Sequence, residues 1–127
     1  MTGPDEITLT LPREKNFYGI AHLVLAGLAA RLDCTVEHLD DLQLALDTLL
    51  DHRDEAGEVR IALRVRDDSI EAEVAPLSSE LRAELEREPG AEMDTRRVLD
   101  TVVDGVDLGT DSVTLRKTVR RLPQGES

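Results

Sequence analysis

A chain of 127 residues has room for one domain with its own core, needing neither disulfides nor a metal. Hydrophobic residues make up 40% and charged residues 33%, which excludes a disordered chain, and no apolar run approaches the length of a membrane span. Fifteen basic against twenty-seven acidic residues leave a net charge of −12. That excludes a nucleic-acid backbone as partner, because little counterion release would drive binding. It suits a basic protein surface.

One Phe, one Tyr and no Trp make the core aliphatic. Cys34 is the single cysteine and has no internal partner, and the chain opens without a charged-then-apolar leader, so a cytoplasmic protein is expected. One domain over residues 1–127 is expected, with loose ends at about 1–5 and 122–127.

Ile7, Leu9 and Leu11 alternate with Thr8 and Thr10, the pattern of a strand with one buried face, and Pro12 stops it. A helix from about Glu14 to Leu32 carries Phe17, Ile20, Ala21, Val24, Leu25, Leu28 and Leu32 on its main apolar face. A second stripe, Gly19, Leu23, Ala26 and Ala30, calls for burial on two sides. It fits packing against the next helix, or the surface of a homodimer or partner. Asp33 and Thr35 suit the cap of that next helix, which continues to about Arg53 with Leu39, Leu42, Leu46, Leu49 and Leu50 inward.

The turn Asp54–Gly57 leads to a hairpin. Val59, Ile61, Leu63 and Val65 point inward on one strand, and Ile70, Ala72 and Val74 on the other. The outer faces are basic on the first strand and acidic on the second. Ser78 or Ser79 caps a short surface helix ending before Pro89-Gly90. Asp94 caps a helix bearing Val98, Leu99, Val102 and Val103, and Val106, Leu108, Val113, Leu115 and Val119 make a last hairpin. The order β-α-α-β-β-α-α-β-β predicts an α/β (α+β) two-layer sandwich, its mixed, mostly antiparallel sheet covered by helices on one face.

On the second helix Asp41, Leu44, Thr48 and His52 lie opposite the leucine stripe. Asp47 and Asp51, four apart, with His52 and Asp54 nearby, could in principle hold a cation, but carboxylates on an acidic helix are ordinarily solvated. No metal is expected. His22, His38 and His52 lack zinc-ligand spacing, and there is neither a nucleophile elbow nor a phosphate loop.

The element order and the run Asp41-Leu42-Gln43-Leu44-Ala45-Leu46-Asp47 resemble the GHKL (Bergerat-fold) ATPases, and among them the bacterial anti-sigma-factor serine kinases of the RsbW type. The stretch Val98–Val106 is similar to the family's final helix and its exit into a strand. In such kinases the run continues with E-x-x-x-N: the Glu takes the proton of the attacking hydroxyl and the Asn oxygen holds magnesium. Those positions fall on Thr48 and His52. A Thr hydroxyl is no base near neutral pH, and imidazole suits magnesium poorly. The family's D-x-G-x-G, whose Asp accepts a hydrogen bond from adenine, is replaced here by Val74-Ala75-Pro76-Leu77-Ser78-Ser79, with Pro76 at the Asp position and Ser78 at a glycine position. The glycine-rich lid is replaced by Met93-Asp94-Thr95-Arg96-Arg97.

The resemblance implies a regulator that binds a sigma factor or a STAS-type antagonist. The altered positions lead us to expect no enzymatic activity and no cofactor; the alternative is an active ATP-dependent serine/threonine protein kinase with a rearranged site. The resemblance also implies that the partner meets the start of the first helix, near Tyr18, His22, Leu23 and Ala26.

Overall fold

Strict alternation over Glu6–Pro12 builds the first strand, β1. A single 3-10 turn at Lys15–Phe17 leads into helix α1, Tyr18–Ala30, and then α2, Val36–Leu50. The chain continues through β2 (Glu58–Arg66), β3 (Ser69–Ala75), α3 (Ser79–Glu86), α4 (Thr95–Val102), β4 (Gly105–Leu108) and β5 (Val113–Thr118). The structure is a computed structural model and describes residues 6–12, 14–32, 34–50, 57–66, 68–86 and 95–119. The turn expected at Asp54–Gly57 lies partly outside them, as do the cap at Asp94 and the cap at Asp33.

The sheet runs β1-β2-β3-β5-β4. The two-layer sandwich with a mostly antiparallel sheet expected from the element order forms, and all four neighbour pairings among the described residues are antiparallel, with no parallel pair among them. The reason lies in the return path. After β3 the chain leaves through α3 and α4, and the β4–β5 hairpin inserts its second strand beside β3 running the opposite way.

Register puts the apolar residues on one face. Leu9 lies opposite Ile61, Ile61 opposite Val74, Leu63 opposite Ala72, and Ala72 opposite Leu115. Val59, Ile61, Leu63, Ile70, Ala72, Val74, Val113 and Leu115 are all buried. The helices cover this face with Ala21, Leu25, Leu28 and Ala29 from α1 and Leu42, Ala45, Leu46, Leu49 and Leu50 from α2. Each buried Leu or Ile stabilises the fold by about 1.5–3 kcal/mol relative to exposure.

The opposite face of the sheet is open and ionic. Arg64 reaches Glu6 at 3.7 Å and Glu71 at 3.4 Å and also binds Glu73, which is the opposite-charge hairpin pairing read from the sequence. A depression of about 220 Å³ lies on this face, lined by Glu6, Thr8, Arg60, Ala62, Glu73 and Ala75.

Two local expectations change. The stripe Gly19, Leu23, Ala26 and Ala30 is not covered by α2: Leu23 is 74% exposed, and Gly19 and Ala30 are exposed with it. Close packing spends the other faces of α1, because α2 lies against its His22 side. The third helix is not a mere surface helix. Ser78 Oγ accepts the Leu81 N–H at 3.0 Å as the expected cap, but Leu81 and Leu85 are buried against the core, two apolar residues four apart in a charged run.

Candidate functional site

Helix α2 is the element on which the sequence places the chemistry. Its start is fixed by Thr35, whose Oγ1 accepts the His38 N–H at 3.1 Å. Its last described turn is tied to α1, where the buried Tyr18 donates its hydroxyl to the Leu50 carbonyl at 2.7 Å. Tyr18 therefore anchors two helices and has little surface left for a protein partner.

Thr48 turns its hydroxyl back on its own helix and donates to the Leu44 carbonyl at 2.7 Å. It offers neither a base nor a metal ligand. His52 lies outside the described residues, as do Asp51 and Asp54 of the imagined cation cluster. Among the described residues no group of three His, Cys, Asp or Glu side chains could hold a metal ion. With an imidazole residue in sequence at the Asn position, this donor set does not fit magnesium as the family holds it.

At the expected adenine position the chain passes through the cis peptide Ala75-Pro76, and Pro76 has no polar side-chain atom to offer. The next N–H, of Leu77, donates to Asp111 Oδ1 at 3.3 Å, and Ser78 is occupied as the α3 cap. The segment Met93-Asp94 lies outside the described residues. Arg96 donates to Asp100 at 3.0 Å and to the Leu85 carbonyl at 2.7 Å, which joins α4 to α3.

Two contacts were not legible in the sequence. His22 Nε2 lies 2.7 Å from Asp47 Oδ1, across the α1–α2 seam, with side chains 31% and 35% exposed. Lys117 Nζ donates to Asp41 Oδ2 at 3.0 Å and to the Val102 carbonyl at 2.9 Å, joining β5 to α2 and the end of α4. The residues are 25 and 76 positions apart, beyond any local pattern. The only hint is that His22 and Asp47 sit on the facing rims of the two helices.

Burial pushes the Cys34 thiol up, and the nearby Lys117 ammonium only partly offsets this. On the open face Glu73 is held low, first by a hydrogen bond from Ser112 and then by Arg64, with the Arg64 and Arg60 charges assisting.

No family model matches the chain. A serine-protein kinase RsbW from Halalkalibacterium halodurans is 24% identical over 107 residues, 80% of this chain and 66% of that protein. The RsbW kinases of Bacillus velezensis and Bacillus subtilis are each 32% identical, over 81 and 78 residues. The chain spans between about half and 66% of the length of these relatives. The crystal structure of the RsbU and RsbW domains of Rv1364c from Mycobacterium tuberculosis superposes with a TM-score of 0.55 over 94% of this chain and 34% of that one, at 13% identity.

The architecture is thus GHKL-like, a five-stranded antiparallel sheet under helices as in an RsbW domain. In sequence the chain is similar, at 24–32% identity, to proteins named as RsbW serine-protein kinases.

Those names correct one expectation. A chain without enzymatic activity was expected from Thr48, His52, Pro76 and Ser78, yet the relatives are named serine-protein kinases, one of them matched over 80% of the chain. Motif positions test only one way of arranging the chemistry. A side chain near the motif in space but distant from it in sequence is invisible to that reading.

Proposed function

We propose that the chain is a cytoplasmic partner-switching regulator of the RsbW type: a serine/threonine protein kinase with a rearranged site that also binds a sigma factor or a STAS-type antagonist. The observation that carries this is the match of 80% of the chain to a protein named as such a kinase, on the matching fold. Charge supports the partner. At −12 the protein attracts a basic surface, the kind a DNA-binding sigma factor presents. So does the surface of α1, where Leu23 is 74% exposed with His22 and Ala26 beside it, while Tyr18 holds the helix from behind.

The rearrangement consists of Thr48 and Pro76 having no role with the nucleotide, so that ATP must be positioned by other groups. Calorimetry with Mg-ATP, followed by transfer of labelled γ-phosphate to a recombinant STAS-domain protein from the source genome, tests the kinase reading. Micromolar binding with phosphoserine formed is the expected result. Neither binding nor transfer at millimolar Mg-ATP would refute it.

A further inference from the structure

The helices cover one face of the sheet, and the other face is a grid of long charged side chains interrupted by short ones. Ala62 on β2 lies opposite Thr8 of β1 on one side and Glu73 of β3 on the other, and Ala75 of β3 lies opposite Arg60 of β2. Two alanines among arginines and glutamates leave the depression of about 220 Å³, with Ala62 and Ala75 as its floor and Glu6, Thr8, Arg60 and Glu73 around it. We propose that this depression binds a free α-amino acid with a small aliphatic side chain, its carboxylate on Arg60, its ammonium on Glu73 and Glu6, and its side chain over the two alanine methyls.

The arrangement of charge selects this class. Arg60 stands two residues before Ala62 on β2, and Glu6 faces Arg64, two residues after it, so the positive and negative walls lie at opposite ends of the floor. The Arg60 guanidinium is exposed and has no ion pair or hydrogen bond among the described residues. It can meet a carboxylate with two parallel N–H donors. At the other end Arg64 binds Glu73 and reaches Glu6 at 3.7 Å, so a single guanidinium holds both carboxylates in place. Glu73 is ionised at neutral pH, kept so first by a hydrogen bond from Ser112 and then by Arg64. An ionised carboxylate has about four lone-pair sites, which leaves both glutamates free to accept from an ammonium as well.

Ligands of one sign fit less well. A simple anion would meet two glutamates and the field of a chain at −12. A simple cation would meet Arg60, with Arg64 already on the carboxylates. A zwitterion satisfies both ends and adds no net charge. Size narrows the class further. At about 30 Å³ per water the depression has room for about seven, and pockets for drug-sized ligands begin at about 300 Å³. Valine and leucine are of the right size, and their branched side chains suit a floor of methyl groups. The floor lies on the face away from α2, so this assignment does not rest on the kinase reading.

The test is an amide NMR titration of the full chain with L-valine, acetate and isobutylamine, the last two carrying one charged group each. Arg60→Gln and Ala62→Leu are titrated beside the parent and checked by thermal melting. L-Valine should move the amides of Thr8, Arg60, Ala62 and Glu73 along one saturable curve with a Kd of about 1 mM or tighter, within reach of so small a ligand. Acetate and isobutylamine should bind at least about tenfold more weakly, since each leaves one end of the site unmet. Arg60→Gln removes the partner of the carboxylate and Ala62→Leu fills the floor, so each should weaken L-valine by about tenfold or more. Arg60 is exposed, so its variant keeps the parent's melting temperature and reads the site even if Ala62→Leu disturbs the sheet. No saturation by about 20 mM L-valine overturns the proposal. So does acetate binding as tightly as L-valine, or an Arg60→Gln variant whose Kd stays within about twofold of the parent's.

Discussion

Glu73 shows how the open face of the sheet is held at the level of single groups. Its carboxyl is kept below the usual range chiefly by a hydrogen bond from Ser112, then by Arg64. A folded pKa below the unfolded one means stability that is present above the unfolded value and lost as pH falls through the folded value. Ser112→Ala should move the Glu73 titration up toward its ordinary 4.5, readable by carboxyl NMR, and should shift acid unfolding to higher pH. Cys34 runs the other way. Partial burial pushes its thiol further up, and the thiolate is the nucleophile. Alkylation of the native protein at pH 8 should be slower than that of the urea-unfolded chain by tenfold or more; equal rates would contradict the assigned burial.

Between helices, a few polar bonds do what apolar stripes cannot, since they fix which residue meets which. Tyr18→Phe removes one oxygen and with it the buried hydrogen bond to the Leu50 carbonyl. A net intramolecular hydrogen bond contributes about 0.5–1.5 kcal/mol, so the urea midpoint should drop with the slope unchanged. Leu85 is fully buried under α3, and Leu85→Ala should cost about 2–5 kcal/mol by transfer plus cavity. If α3 were only a solvated surface helix, the change would be within about 0.5 kcal/mol. These elements also mark what the sequence revealed. Period-two alternation gave β1, β2, β3 and β5 with their inward faces, because register is fixed once one face is apolar. The caps at Thr35 and Ser78 followed from local chemistry. The site was less legible. The motif alignment marked Thr48 and Pro76 as altered, but the His22–Asp47 and Lys117–Asp41 contacts depend on how helices and strands are laid beside each other. No window of sequence contains both partners. The burial of α3 was missed because two leucines among charges make a weak stripe.

At the level of the whole molecule, net charge and the uncovered face of α1 make a joint claim about association. A −12 protein repels its own copies over any acidic face, and that repulsion is screened as salt rises. A basic partner is attracted over the same distance, so its on-rate should fall steeply between 50 mM and 500 mM salt, on the order of tenfold, as steered encounters do. Leu23 separates the two kinds of partner. Its side chain is 74% exposed and touches no buried layer, so Leu23→Glu should melt within a degree or two of the parent. If the face serves a heterologous basic partner, the variant should lose affinity for the sigma factor by tenfold or more while its sedimentation mass matches the parent's. If instead two copies of the chain meet along Leu23, Ala26 and Ala30, the parent should sediment as a dimer and Leu23→Glu as a monomer. Leu23 is the most exposed large aliphatic side chain on α1, with Ile20, 44% exposed, three residues before it on the same side, so a partner seated there would bury both. A variant that changes neither the mass nor the sigma-factor affinity would move the interaction surface off α1 altogether.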